Sequence, residues 1–174
     1  MPKIVTLTMN PAIDTSAHCD RVQHDLKLRL ERVRRDPGGG GINVSRAVGY
    51  LGGESTAVYP AGGVEGELLE SLLATEQLVR EPVQVADAIR ENLTVVEDST
   101  GEQYRFGMPG PNLSAGEADT VTDRLAALVE PDALVVASGS LPPGVPDDFY
   151  ARVARVVRDA GARYIVDTSG DALA

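Results

Sequence analysis

Apolar residues fall into short blocks along this chain, and the period within each block points to the element it forms. Lys3 to Met9 is a β-branched run of the kind that makes a buried strand, closed by Asn10-Pro11. Val44, Ala47, Val48 and Leu51 then recur at i, i+3, i+4 and i+7, which predicts a helix with that face turned inward. Asp36-Pro37-Gly38-Gly39-Gly40-Gly41-Ile42-Asn43 leads into this helix, and Gly52-Gly53 should cap its end. Ser55 to Ala61 reads as a second strand, followed by Gly62-Gly63 and a helix with Leu68, Leu69, Leu72 and Leu73 on one side. Ser114-x-x-Glu117 is a capping box opening a helix that carries Val121, Leu125 and Leu128. Ala133 to Ala137 is a continuous apolar strand. Asp147 to Ala160 is an amphipathic helix with Phe149, Val153, Val156 and Val157 inward and Gly161 as its cap, and Tyr164 to Val166 is the next strand.

Strand and helix in alternation imply parallel βαβ units and a doubly wound α/β sheet. Two stretches break that rhythm. Leu26, Leu28 and Leu30 alternate with Lys27, Arg29 and Glu31, a period-2 pattern that predicts a half-exposed strand from Leu26 to Arg34. Asn92 to Val96 and Gln103 to Met108 flank Ser99-Thr100-Gly101 and read as a hairpin. We expect these pieces to form a small separate sheet, a lid over the strand ends. Past Asp167 there is no closing helix, so the last strand would leave an apolar edge, and a chain truncated at its C-terminus is expected.

The 174 residues are 43% hydrophobic and 24% charged, ordinary for one globular α/β domain. A formal net charge of −10 argues against general nucleic-acid binding, so any anionic ligand must be held by local positive charge. The single cysteine, Cys19, precludes an intramolecular disulfide and a thiolate-rich zinc site. No basic leader and no apolar run of membrane-spanning length is present, and a cytoplasmic protein is expected. His18 and His24 lie in a polar stretch and read as surface residues.

In open α/β sheets ligands sit beyond the carboxyl ends of the strands, where this chain gathers its unusual residues. Asn10 to Asp14 follows the first strand, Ser138-Gly139-Ser140-Leu141-Pro142-Pro143-Gly144 a later one, and Asp167-Thr168-Ser169-Gly170 the last. The glycine run joins them. Glycines ahead of a helix let backbone N–H groups approach a polar or anionic ligand, although neither a P-loop nor a dinucleotide fingerprint fits the spacing. Asp14 is suited either to accept from sugar hydroxyls or to make a turn, and Asn43 either to bind a hydroxyl or to cap its helix. Ser138 to Ser140 reads as a ligand-facing turn. Among the cations, Lys27, Arg29, Arg90 and Arg105 are candidates for an anionic ligand, whereas Arg32, Arg34 and Arg35 read as a solvated strand face.

Thr8-Met9-Asn10-Pro11-Ala12-Ile13-Asp14, the unit from Gly38 to Gly53, Gly101-Glu102-Gln103-Tyr104-Arg105-Phe106 and the Ser138 to Gly144 segment occur in this order. In these motifs the whole chain resembles the PfkB branch of the ribokinase-like sugar kinases. The P-G-G-G-G-I-N form is similar to the ATP-dependent 6-phosphofructokinases of that branch, whereas 1-phosphofructokinases and tagatose-6-phosphate kinases tend to carry A-x-G-K-G-I-N. The resemblance implies a three-layer α/β/α doubly wound sheet with a β-sheet lid, residues 1–174 being the N-terminal part of one such domain and about 15–36 and 88–109 its lid segments. It further implies ATP and Mg²⁺, fructose 6-phosphate or a related sugar phosphate, and a homodimer in which lids clasp.

Carried onto this sequence, the family pattern puts Asp14, Gly39, Gly40, Asn43 and Ser138 around the sugar hydroxyls and Arg90 and Arg105 near the sugar phosphate. Arg29 would reach the neighbouring subunit's substrate, and Lys27 would face the nucleotide or the phosphate. The family's N-x-x-E motif and its G-A-G-D motif, whose aspartate is the general base, have no match here. No catalytic residue is therefore assigned within the chain, and it is expected to be inactive alone. A tagatose-6-phosphate kinase, a 1-phosphofructokinase and a non-catalytic sugar-phosphate binding module are the alternatives.

Overall fold

A computed structural model describes residues 2–173. The main sheet is built from β1 (Ile4–Leu7), β4 (Thr56–Ala61), β5 (Val79–Gln84), β8 (Leu134–Ser138) and β9 (Arg163–Asp167), in the order β5-β4-β1-β8-β9. Every pairing in it is parallel. The alternate residues of its strands feed two cores. Val5, Leu7, Val58, Val135 and Ala137 pack against α3 (Ala115–Ala126) and α4 (Phe149–Asp159), while Ala57, Tyr59 and Ala61 pack against α1 (Gly40–Tyr50) and α2 (Gly63–Leu73). Helices on both faces make three layers, the α/β doubly wound fold expected.

The second sheet has the order β3-β2-β6-β7, from β2 (Ala12–Cys19), β3 (Glu31–Gly38), β6 (Arg90–Glu97) and β7 (Gln103–Phe106). The predicted hairpin is β6 and β7, paired antiparallel. Two expectations for this sheet need correction. Ala12 to Asp14, expected in a segment beyond the end of the first strand, instead open β2, an inner strand of this sheet paired with β3 on one side and β6 on the other. Leu26 to Leu30 are not a strand: β3 starts at Glu31, opposite His18, and runs into the glycine run as far as Gly38. Alternation alone does not make a strand; a partner's free edge does, and β2 offers one only from that register.

The inward face of α1 also differs. Gly41, Ile42, Ser45 and Gly49 are buried, Ala47 is exposed, and Leu51 is 88% exposed at the C-cap. Close approach to the sheet selects the smallest residues rather than the bulkiest. The predicted glycine cap is in place: Gly52, at φ +80°, and Gly53 donate to the Gly49 and Val48 carbonyls in a Schellman motif. β5 went unpredicted because Val-Arg-Glu-Pro-Val-Gln has no clear period. It is an edge strand, where Pro82 is tolerated. At the opposite edge, β9 leaves Ile165 50% exposed.

The α3 capping box forms as predicted. Ser114 Oγ accepts from the Glu117 N–H, and Glu117 Oε2 accepts from the Ser114 N–H at 2.9 Å. Replacing Ser114 with alanine should cost about 1 kcal/mol, read as a lower urea midpoint at unchanged slope; an unchanged midpoint would mean the helix does not need its cap. Hydrogen bonds from Ser114, then from the Ala86 and Ser114 backbone, hold the Glu117 carboxyl below its usual pKa. Its contribution is therefore full above the ordinary glutamate range and fades as pH falls through the lowered folded value.

Candidate functional site

The two sheets meet at the carboxyl ends of β1 and β8, and the glycine run crosses between them. Each glycine is pressed against a different partner. A side chain on Gly38 would start inside contact of the Asp14 carboxylate, 2.6 Å from its Cγ; one on Gly40 would start 2.7 Å from the Ser138 carbonyl carbon; one on Gly41, 2.7 Å from the carbonyl carbon of Leu7. Gly39 has φ +118° and is the N-cap, so α1 has no capping side chain of its own. Thr8, from the end of β1, takes that role: its Oγ1 accepts the Ile42 N–H at 2.9 Å. The run thus brings Asp14, on the lid, and Ser138, on the core, to neighbouring residues of one turn.

Ser138 is buried and donates to Asp167 Oδ2 at 2.9 Å. Gly139, at φ +116°, has its carbonyl held by the Tyr150 hydroxyl at 2.9 Å and by Thr168 Oγ1 at 3.1 Å. Burial, with the nearby Asp167 charge, pushes the Tyr150 hydroxyl pKa up, so it stays a donor. Ser140 Oγ receives Asn10 Nδ2 at 3.2 Å. The turn is therefore pinned on the side away from the glycines.

On the lid side, a cleft of ≈ 440 Å³ is lined by Asp14, Arg90, Asn92, Thr94, Arg105 and Phe106, among others. Asn92, which the sequence did not mark, donates to Asp14 Oδ1 at 3.0 Å while its own Oδ1 accepts from the Met108 N–H at 3.3 Å. This fixes the Asp14 carboxylate and leaves acceptor capacity on it. Arg90 donates to the carbonyls of Asn10 at 3.2 Å and Met108 at 3.4 Å. Its Nε and Asn10 Oδ1 are buried without a hydrogen-bond partner among the described residues. The cleft thus sets a guanidinium beside a carboxylate, a pairing that suits a ligand carrying hydroxyls and an anionic group. Burial pulls the Arg90 pKa down and the Asp14 charge opposes it.

Arg105 is exposed on β7 and shares the cleft, donating to Gln103 Oε1 at 3.2 Å. Asn43 is exposed in the first turn of α1. Lys27 and Arg29 are elsewhere. They line a separate concavity of ≈ 640 Å³ with His18, Cys19 and Asp98, and His18 lies about 13 Å along β2 from Asp14 at ~3.3 Å per residue. His18 is more than a free surface residue there, since its Nδ1 bonds Asp98 Oδ1 at 2.7 Å. Among the described residues no group of three or more His, Cys, Asp or Glu is placed to hold a metal, and no helix is long and apolar enough to cross a membrane.

The sequence pattern of the pfkB family carbohydrate kinases matches residues 4–174. This chain belongs to the pfkB family of carbohydrate kinases. It is 48% identical over 172 residues to ATP-dependent 6-phosphofructokinase isozyme 2 of Mycobacterium tuberculosis, covering 99% of this chain and 51% of the relative. It is 43% identical over 173 residues to the isozyme 2 of Escherichia coli, covering 99% and 56%. The crystal structure of E. coli phosphofructokinase-2 in complex with fructose 6-phosphate superposes with a TM-score of 0.94 at 43% identity, over 99% of this chain and 57% of that one. The pfkB chain thus spans about half the length of the relatives it matches. Besides Asn92, sequence reasoning overlooked Thr8 as the pfkB chain's helix cap and Asn10 as the bridge to Ser140. Thr8 and Asn10 lie inside a quoted motif and Asn92 in the predicted hairpin, but their roles depend on partners 34 to 130 residues away.

Proposed function

We propose that this chain is the acceptor-binding half of an ATP-dependent sugar-phosphate kinase of the 6-phosphofructokinase type. It holds fructose 6-phosphate so that its C1 hydroxyl receives the γ-phosphate of ATP. The observation that carries the reading is the Asp14 carboxylate, oriented by Asn92 and flanked by Arg90 and Arg105 where the glycine run brings lid and core together. Asp14, with Asn43, Ser138 and the backbone of Gly39 and Gly40, accounts for the sugar hydroxyls; the two guanidinium groups account for the phosphate, which a chain of net charge −10 would otherwise repel. Catalysis of this kind is mostly positioning and charge stabilisation. Mg²⁺ belongs with the nucleotide, and since the described residues hold no fitting cluster, its ligation is not assigned to this chain. No base is assigned either, because the chain has no G-A-G-D.

The lid is the proposed homodimer surface. Leu26 and Val33 are more than half exposed along it, which supports this reading; we assign Arg29, which lies apart from the Asp14 cleft, to a neighbour's substrate, and Lys27 to the nucleotide or the phosphate.

Calorimetric titration tests the acceptor site directly. Fructose 6-phosphate should bind the 174-residue chain, and Asp14→Asn should weaken it by roughly ten- to a hundredfold, the worth of a hydrogen bond to a charged group. Preference for fructose 1-phosphate would transfer the reading to the 1-phosphofructokinase type. No ATP-dependent phosphorylation by the chain alone is expected, and turnover would overturn the placement of the base outside it.

A further inference from the structure

Arg46, one turn beyond Asn43 on α1, makes more polar contacts than any function so far described requires. Its Nε donates to Glu76 Oε1 at 2.9 Å, Nη1 donates to the Pro37 carbonyl and to Asn43 Oδ1, both at 3.3 Å, and Nη2 donates to the Tyr50 hydroxyl at 3.3 Å. The Arg46 and Glu76 side chains are only 18% and 13% exposed. Burial alone would lower the Arg46 pKa, but the hydrogen bond and charge of Glu76 outweigh it and leave the pKa raised, so the group is a permanent cation. One guanidinium therefore ties together three segments: the end of β3 just ahead of the glycine run, the first turn of α1, and the connection between α2 and β5.

We propose that Arg46 is a positioning residue of the substrate site, setting the Asn43 amide so that its oxygen faces Arg46 and its Nδ2 is presented to the ligand as a donor. The inference rests on the acceptor-site reading of Asn43. A guanidinium has donors only, so the Asn43 atom beside it must be the oxygen. Asn43 Nδ2 has no protein partner among the described residues. The ligand atom that meets Asn43 is then an acceptor, a sugar or phosphate oxygen. The same guanidinium holds the Pro37 carbonyl, so the approach of β3 to the glycines and the amide on the far side of the run are set by one group. Lysine could keep the ion pair with Glu76, but a single ammonium on a flexible stem cannot span the carbonyl and amide as well.

Arg46→Lys separates positioning from folding, because the buried carboxylate keeps a cation. The variant should keep its thermal midpoint within a few degrees yet bind fructose 6-phosphate about tenfold more weakly, and Asn43→Ala should lose a similar factor. The double variant should bind no worse than Asn43→Ala, since both changes remove one interaction. Arg46→Met with Glu76→Gln, which removes both charges together, should behave as Arg46→Lys in binding. Wild-type affinity in Arg46→Lys, or losses that multiply in the double variant, would overturn the proposal. The free chain supplies a readout independent of the ligand. The side-chain amide of Asn43 should be rigid by ¹⁵N relaxation in the wild type and mobile in Arg46→Lys; equal order in both would also overturn it. If the wild-type chain binds no fructose 6-phosphate, the acceptor-site reading fails and the relaxation result alone decides the role of Arg46.

Discussion

Gly41→Ala is expected to destabilise the chain by about 3 kcal/mol or more, the cost of overpacking a site that cannot give. The new methyl would start 2.7 Å from both the Leu7 carbonyl carbon and Thr8 Oγ1, and Leu7 belongs to β1, the central strand of the main sheet. Neither backbone can retreat without breaking a ladder on both sides. The loss should lower the melting temperature by roughly 10 °C and, by lifting α1 off β1, weaken fructose 6-phosphate binding as well. Two other glycines serve as controls. Gly52→Ala meets nothing within 4 Å but sits at φ +80°, so it should cost only about 1 kcal/mol of backbone strain. Gly116, in the first turn of α3 with open space around it, should gain about 0.5 kcal/mol on becoming alanine, through a less flexible unfolded chain. If Gly41→Ala melts with Gly52→Ala, the close packing of α1 on β1 is wrong.

Arg90→Lys is expected to lower fructose 6-phosphate affinity by about a hundredfold, since losing the hydrogen bonds a guanidinium makes to a charged ligand group costs up to about 3 kcal/mol. Arg90 opens β6, and its guanidinium reaches Asn10 where the chain enters the lid and Met108 where it leaves. It therefore holds the lid in register with the core. Lysine retains the charge but not the fork. Titration of the variant beside a thermal melt separates the two duties. Affinity within threefold of the wild type would remove Arg90 from the phosphate site, whatever happens to the melt.

How legible the molecule was in its sequence depended on how far each feature's cause lay along the chain. β1, β4, β8, α3 and α4 announce themselves through local runs, periods and caps, and the Ser114 box and the Gly52-Gly53 and Gly161 endings need no distant partner. The lid was only half legible. β6 and β7 meet across a short turn, so their pairing is a local matter. Leu26 to Leu30 alternate just as well, yet the strand begins at Glu31 because pairing is decided by β2, whose own pattern around Asp14 reads as a loop.

The site divides in the same way. Glycines in a row, an aspartate after a strand and a small-residue turn are written in the chain, because each reflects a chemical need of the residue itself: no side chain, a carboxylate, room. Which atom each glycine faces is not written there, since Gly38, Gly40 and Gly41 meet residues 24, 98 and 34 positions away. Asn92, which aims Asp14, and Arg46, which holds Pro37 and Asn43, act through contacts that exist only once sheet and lid have packed. Lys27 and Arg29 are separated from Arg90 and Arg105 because the connection between β2 and β3 carries them to the far end of β2. Sequence thus decided the locally coded elements and the chemical inventory, because propensity and functional groups are properties of residues. Tertiary structure decided which groups share a cleft and which way they point, because distance and orientation are properties of pairs.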